Sequence, residues 1–283
     1  MAVHLIVNRC SGSYCAGRVD QIMAQFGEHG VTVELHQPDS VAAAESLVAG
    51  LCAPTMPILV AIGGDGTIAT VLNALLPGQA VLGIIPMGTA NVLAREIGVR
   101  SVPDAVNRII DGRRRLIQVG RAKTSVGTRL FLLMAGIGFD GTVVQSVRLD
   151  EKERFGPLAY LLAGLRALQS GLKAILTVTF NGTSITAHSV VITNSRHYGG
   201  PFTITPDSGL YGGGLAVVPF SGTGRVRFML QMLRQIVLPK RFGPRCTEPV
   251  HVDGICAVQL DGDAFGMSPA VIDAIPSYIE LLC

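Results

Sequence analysis

Leu59-Val60-Ala61-Ile62-Gly63-Gly64-Asp65-Gly66-Thr67-Ile68-Ala69-Thr70 is the stretch on which the reading of the fold turns. A run of branched apolar residues stops at two glycines, an aspartate, a third glycine and a threonine, and then a helical pattern begins. It reads as strand, tight turn, helix. Glycine lets a backbone take positive φ or admit a ligand closely. A helix N-terminus offers N–H groups and a partial positive charge to an anion, so a phosphate fits there. Asp65 is too acidic to hold a phosphate directly and points instead to a metal, a basic side chain or a hydroxyl. The turn suggests nucleotide chemistry with a carboxylate at hand.

Upstream, His4-Leu5-Ile6-Val7 reads as a buried strand ending at Asn8, Ser11-Gly12-Ser13 as a small-residue turn, Val19 to Phe26 as a helix and Val31 to Leu35 as a second strand. Val41 to Leu51 is helical, Ile58 to Ile62 is the third strand, Thr67 to Leu76 its helix and Ala80 to Ile85 the fourth strand. Such β/α alternation predicts an open, doubly wound parallel sheet with ligands at the carboxyl ends of its strands. The fourth strand runs into Pro86-Met87-Gly88-Thr89-Ala90-Asn91, where a helix over Ala90 to Ile97 begins. Two strand-turn-helix units that share Gly and Thr wall a cleft with hydroxyls and backbone donors. Pro103 to Ile110 adds a helix, and Gly112 to Arg115 ends the layer.

From Leu116 the texture changes to short strands: Leu116 to Lys123, Arg129 to Met134, Ala174 to Phe180, Ser184 to Thr193, Leu215 to Pro219, Val250 to Val252 and Cys256 to Leu260. One helical stretch, Leu158 to Ser170, interrupts them, and Asn181-Gly182 is a hairpin signal. The chain therefore divides into an α/β domain over residues 1–118 and a mainly antiparallel β domain over 119–275. Ala135-Gly136-Ile137-Gly138-Phe139-Asp140 is glycine-rich and ends in a carboxylate, a pattern common in bends of β-structure. Gln259-Leu260-Asp261-Gly262-Asp263 sets two carboxylates about a glycine; by itself Asp261-Gly262 reads as a hairpin turn.

Composition limits the function classes. Of 283 residues 48% are apolar and 15% charged, yet no apolar run approaches the ~20 residues of a membrane span. Gly136 and Gly138 break the run Leu130 to Phe139, and Gly164 and Arg166 break Leu158 to Leu168. Met1 to Asn8 lacks a basic lead-in and reads as a first strand rather than a signal peptide. Six cysteines without a CxxC or Cys/His ligand spacing read as reduced thiols of a cytosolic protein. His188, His197 and His251 have no ligand spacing either. A net charge of +3 is too small to argue for nucleic acid. Arg113-Arg114-Arg115 and Lys240-Arg241 with Arg245 are basic clusters suited to anionic lipid or phosphate, or to a solvated loop.

Gly63-Gly64-Asp65-Gly66-Thr67, then Ile85-Pro86-Met87-Gly88-Thr89-Ala90-Asn91-Val92-Leu93-Ala94-Arg95, then Asp261-Gly262-Asp263 together resemble the diacylglycerol kinase catalytic family. The similarity is to its bacterial soluble lipid kinases, relatives of the sphingosine and ceramide kinases. Asn8 with Ser11-Gly12 resembles the family's opening motif, with Arg9 in place of proline, and Gly156-Pro157-Leu158-Ala159-Tyr160 and Tyr198-Gly199-Gly200 fall where the family has similar segments. The resemblance implies a C-terminal β-sandwich, ATP in the cleft between the domains, and a last strand, 276–283, that returns to the first domain. It implies that Asn8, Gly63, Gly64, Asp65, Gly66, Thr67, Ile68, Ala69, Gly88, Thr89 and Asn91 form the ATP site. Asp261 would be the general base on a lipid hydroxyl, Asp263 its assistant, and Asp65 part of a water-mediated Mg2+ network. The family often carries acidic residues where this chain has Val92, Gln118 and the Tyr211-Gly212-Gly213-Gly214 loop, and Asp-Gly-Glu where it has Asp261-Gly262-Asp263.

The expected activity is ATP-dependent phosphorylation of a diacylglycerol-like or long-chain lipid. The expected setting is cytoplasmic, in peripheral contact with an anionic membrane at its inner face, with Leu158 to Leu168 and Ile236 to Phe242 as candidate surfaces and a homodimer as a candidate assembly. Two other readings share these residues: an NAD kinase, whose family also has Gly-Gly-Asp-Gly-Thr, and a lipid- or nucleotide-binding protein without turnover.

Overall fold

The protein is described from a computed structural model over residues 3–52, 56–148, 151, 158–172, 175–200, 202–240 and 245–283. Gly156, Pro157, Ala174, Arg241 and Phe242 of the motifs above lie outside the described residues. The chain forms two units, Met1–Ile117 with Ser277–Cys283, and Gln118–Pro276.

The first unit is the α/β layer. Strands β1 (Val3–Val7), β2 (Val33–His36), β3 (Ile58–Gly63) and β4 (Val81–Pro86) pair in parallel in the order β2-β1-β3-β4. Alternation on the strands is the reason the sheet has two covered faces. Val3, Leu5, Val7, Ile58, Val60 and Ile62 pack with Val19, Ile22 and Phe26 of helix α1 (Ala16–Glu28) and with Ala105, Val106 and Ile109 of α5 (Val102–Asp111). Helix α2 (Val41–Leu51) packs against α3 (Asp65–Asn73). The helix starts follow local chemistry. The hydroxyls of Ser40 and Ser101 accept hydrogen bonds from Ala43 N and Asp104 N, each at 3.2 Å, and Gly112 at φ 69 ends α5. A short helix α4 (Val92–Glu96) follows β4.

The second unit is antiparallel. Strands β5 (Arg114–Thr124) and β6 (Gly127–Phe131) form a hairpin. Next come β7 (Met134–Gly138), helices α6 (Phe139–Ser146) and α7 (Leu158–Ser170), and β8 (Leu176–Phe180), β9 (Thr183–Ala187) and β10 (Ser189–Thr193). Then follow β11 (His197–Tyr198), β12 (Phe202–Thr203), β13 (Ala216–Phe220), helix α8 (Arg225–Val237), β14 (Val250–Asp253), β15 (Ala257–Leu260), β16 (Asp263–Met267) and β17 (Ala270–Leu282). One sheet runs β13-β10-β7-β15-β16; β14 lies between β8 and the start of β17, with β9 outside β8. Val190, Ile192, Ile137 and Val258 of the former meet Val178, Val250, Val252 and Ile272 of the latter in one core, a two-layer sandwich. The end of β17 lies in the first unit, where Glu280 and Leu281 pair in parallel with Val81 and Leu82 of β4.

The structure differs from the sequence reading at several boundaries. Ser184 to Thr193 is not one strand: it breaks at His188, and β9 and β10 belong to different sheets. Arg129 to Met134 likewise divides between β6 and β7. The glycine-rich Ala135 to Asp140 is a strand-to-helix junction, with Gly138 at φ 90 starting α6, rather than a bend within β-structure. Two helices, α6 and α8, join α7 in this unit; α6 is too short and mixed for periodicity to separate helix from strand, whereas Val226, Leu230, Leu233 and Val237 give α8 an apolar stripe at helical spacing that the strand reading of this half passed over. Helix α7 buries Ala159, Ala163 and Ala167, one face at helical spacing, and leaves Leu162 and Leu165 exposed.

Candidate functional site

In the first unit three turns converge. The turn β3-α3 (Gly63–Thr67) lies beside the turn β4-α4 (Met87–Asn91), and the turn after β1 (Asn8–Ser13) closes against both. Met87 N–H donates to Gly63 O at 2.8 Å and Ser13 N–H to Met87 O at 3.0 Å. Asn8 N–H donates to Ile62 O at 3.1 Å, and its amide Nδ2 to the Thr67 hydroxyl at 3.0 Å. The glycines are needed first for this packing. A Cβ on Gly88 would stand 2.4 Å from Gly64 Cα, and one on Gly63 would stand 2.3 Å from Thr67 Oγ1. Gly66 differs: a Cβ there meets nothing within 4 Å, and the residue is exposed. It is the place in the turn where a ligand can reach the backbone at the start of α3.

Asp65 reaches across to the neighbouring turn. Its Oδ2 accepts from Val92 N–H and its Oδ1 from Leu93 N–H, both at 3.0 Å, so it caps α4 from 27 positions upstream. Burial pushes its carboxyl above the usual range, against these backbone donors that favour the charged form. Asn91 sits at φ 48 and ψ 50; its Oδ1 accepts from Gly88 N–H at 2.8 Å and its Nδ2 donates to Gly88 O at 2.9 Å. Thr89 is exposed beside Gly12, where a Cβ would meet Thr89 Oγ1 at 2.8 Å. The side chains of Ile68 and Ala69 are buried at 3% and 2% exposure, and Ile68 N–H is used on Gly64 O, so helical periodicity turns these two into the core beneath the turn. The hydroxyl of Ser11 is buried and has no hydrogen-bond partner. A buried, unsatisfied hydroxyl costs free energy, and an acceptor supplied from outside would relieve it.

In the second unit, Asp261 and Gly262, at φ 52 and φ 90, form the two-residue turn between β15 and β16. The hairpin reading of Asp-Gly therefore holds, but the carboxylate does more. Its oxygens accept from Leu132 N–H at 2.7 Å, Leu133 N–H at 2.8 Å and Met134 N–H at 2.9 Å. Asp263 is half-exposed and paired with Arg129 at 3.2 Å. Behind the turn lies a polar chain. Gly262 N–H donates to Gln259 Oε1 at 2.8 Å, Gln259 Nε2 donates to Asp140 Oδ2 at 2.8 Å, and the Tyr198 hydroxyl donates to Asp140 Oδ1. Burial holds the Asp140 carboxyl above its usual range, outweighing these two donors, and burial with the Asp140 charge raises the Tyr198 hydroxyl well above its own. Asp140, Gln259 and Tyr198 stand in motifs the sequence displays, yet only the fold joins them to the Asp261 turn.

The residues present do not fit a resident magnesium ion. Asp65 is partnered by backbone donors and Asp261 likewise, and among the described residues His4, Glu34 and His36 are the one group of three His, Cys, Asp or Glu side chains close enough to share an ion. Where the family often carries acidic residues, Gln118 Nε2 donates to Asn194 Oδ1 at 2.5 Å and to Gly214 O at 2.8 Å, while its Oε1 accepts from Gly214 N–H at 3.2 Å. The Arg245 guanidinium donates to the carbonyls of Asp207, Gly209 and Gly212. A carboxamide and a guanidinium thus bond to this loop.

Comparison with known proteins agrees with the architecture. Residues 2–122 match the model of the diacylglycerol kinase catalytic domain, and residues 134–283 match that of the YegS C-terminal NAD kinase beta sandwich-like domain. The chain is 30% identical over 201 residues to a diacylglycerol kinase of Bacillus subtilis (strain 168), covering 68% of this chain and 64% of that protein. It is 42% identical over 123 residues to a Pseudomonas aeruginosa protein described as "Probable lipid kinase YegS-like", covering 43% of this chain and 38% of that one. A diacylglycerol kinase of Mycobacterium tuberculosis is 28% identical over 278 residues, covering 92% and 87%. The match thus spans less than two thirds of the first two relatives. The crystal structure of a diacylglycerol kinase from Bacillus anthracis str. Sterne superposes with a TM-score of 0.72 at 18% identity, covering 99% of this chain and 96% of that one, a likeness of fold.

Proposed function

Because the chain belongs to the diacylglycerol kinase catalytic family, we propose that it is an ATP-dependent lipid kinase that phosphorylates the hydroxyl of a diacylglycerol-like or long-chain lipid. The observation that carries this reading is the cluster of three turns about the open backbone of Gly66, with the unpaired Ser11 hydroxyl beside Gly63. The N-terminus of α3 suits a phosphate, and Thr67, Thr89, Asn8 and Ser11 supply hydroxyl and amide groups around it. Magnesium in this reading arrives with the nucleotide, keeping water and phosphate ligands.

Asp261 is the proposed general base. The lipid hydroxyl oxygen bonds to the γ-phosphorus, the bond from that phosphorus to the β,γ-bridging oxygen breaks, ADP leaves, and the hydroxyl proton passes to the carboxylate. Backbone N–H groups on both its oxygens keep that carboxylate in one orientation. The Gly262-Gln259-Asp140-Tyr198 chain holds the turn from behind.

A lipid substrate calls for peripheral contact with a bilayer, and no described helix is long and apolar enough to cross one. Helix α8 is the proposed contact surface. Val226, Leu230, Leu233, Val237 and Leu238 are each more than half exposed, a stripe at helical spacing bordered by Arg225, Arg227, Arg234 and Lys240. Arg227, Arg234 and Lys240 also line a cleft of about 390 Å³, with room for an anionic headgroup.

The experiment is phosphate transfer from radiolabelled Mg-ATP by the purified protein to micelles of diacylglycerol, sphingoid base, ceramide or phosphatidylglycerol. Transfer to a lipid hydroxyl is expected. Folded protein that labels none of them refutes the reading, and label on NAD instead moves the assignment to the NAD kinase class. Flotation with anionic vesicles, expected for the wild type and reduced by Leu233→Asp, checks α8.

A further inference from the structure

The outer edge of the parallel sheet carries a side-chain cluster that the proposed reaction does not use. The register of β1 on β2 sets His4 opposite Glu34, and His36, two residues on, projects from the same face. His4 Nδ1 lies 3.2 Å from His36 Nε2 and 3.3 Å from Glu34 Oε2, and the last two atoms are 3.9 Å apart. Three atoms at these separations share a point about 2.0 Å from each, the length of zinc bonds to imidazole and carboxylate. The His4 side chain is 9% exposed, that of His36 21% and that of Glu34 63%, so the cluster has a dry floor and an open side.

We propose that His4, Glu34 and His36 form a binding site for a divalent transition-metal ion of the zinc class, with water at the remaining position. Two imidazoles and one carboxylate select such an ion over magnesium, which prefers an all-oxygen shell. Three protein ligands with one solvent-facing position is a recurrent zinc arrangement. Without metal, two ring nitrogens face each other at hydrogen-bond distance, where one proton serves both; an ion satisfies both lone pairs. The site has a structural consequence. Among the described residues, strand β2 is the edge of the sheet and pairs with β1 alone, so an ion shared between the two strands ties the edge down and stabilises the fold by linkage.

The test uses the full chain, stripped of metal with a chelator and alkylated in its native state so that the exposed thiols of Cys10 and Cys15 cannot compete. Titration with Co2+ is expected to give one equivalent of bound ion with the visible absorption of a low-coordinate nitrogen–oxygen site. Zn2+ is expected to displace it and to raise the unfolding midpoint. His36→Asn and Glu34→Gln are each expected to weaken Zn2+ binding at least tenfold; the second removes an exposed side chain and guards against loss of folding in the first. Absence of stoichiometric binding to the alkylated wild type overturns the proposal. So does binding that survives either substitution undiminished.

Discussion

Replacing Gly66 by alanine and replacing Gly88 by alanine should move stability in opposite directions, although both glycines belong to phosphate-loop-like turns. At Gly66 the added methyl meets nothing within 4 Å, and the residue lies inside the first turn of α3. Alanine there gains helix propensity and narrows the unfolded ensemble, worth about 0.4–1 kcal/mol, or a rise of about 1–4 °C in unfolding midpoint for a protein of this size. At Gly88 the methyl would lie 2.4 Å from Gly64 Cα and 2.8 Å from Asn91 Oδ1. The first obstacle is backbone and cannot swing away, so the two turns must part at a cost of about 1–3 kcal/mol and a fall of several degrees. Nucleotide binding separates the roles further. The Gly66 methyl stands where a phosphate would approach, so ATP affinity should drop at least tenfold, about 1.4 kcal/mol, in a protein that is more stable than the wild type. Thermal unfolding and isothermal titration with ATP on both variants read the two effects. A Gly66→Ala protein that binds ATP as the wild type does refutes the placement of phosphate at that turn; one that loses stability refutes the open-space argument.

Three further outcomes follow from the second unit. Asp261→Asn should abolish phosphotransfer and also cost about 2–4 kcal/mol, because one amide oxygen replaces a charged acceptor of three backbone N–H groups; denaturant titration beside the activity assay separates the two losses, and an unchanged midpoint contradicts the bonding described. The raised Asp140 pKa gives a signed pH dependence. The native state binds the proton more tightly than the unfolded state, so Asp140 contributes most below the usual value of 3.8, and that contribution declines as pH rises toward the native value. The stability difference between wild type and Asp140→Asn should therefore shrink from pH 4 upward, and a difference that grows over that range would contradict the burial argument. Chelation with EDTA should leave the Gly209–Gly214 loop intact, since Arg245 and Gln118 hold it, whereas Arg245→Gln should lower the midpoint; a calorimetric scan with and without chelator compares them.

Much of the fold was legible where one physical signal dominated. Branched apolar runs ended by glycine marked β3 and β4, and Asn181-Gly182 and Asp261-Gly262 marked hairpins, because each rests on local sterics. Short segments of mixed character were not legible: α6 has too few residues for its pattern to separate helix from strand, the helical stripe of α8 was passed over among the short strands around it, and the break at His188 between two sheets is set by which partners are available, not by the residue.

For the site, the sequence by itself determined which residues would stand at the ends of β3 and β4, since the glycines, Asp65, Thr67, Thr89 and Asn91 follow directly from strand-turn-helix order. Only the tertiary structure decided what they do there. It turned Gly63, Gly64 and Gly88 into packing glycines and left Gly66 open; it spent Asp65 on the start of α4, buried Ile68 and Ala69, and left the Ser11 hydroxyl without a partner. It likewise joined Asp140, Tyr198, Gln259 and Asp261, and set His4 beside Glu34 and His36. Turn geometry depends on a few neighbouring residues, whereas a hydrogen-bond partner 28, 119 or 128 positions away exists only once the sheets have fixed their order and register.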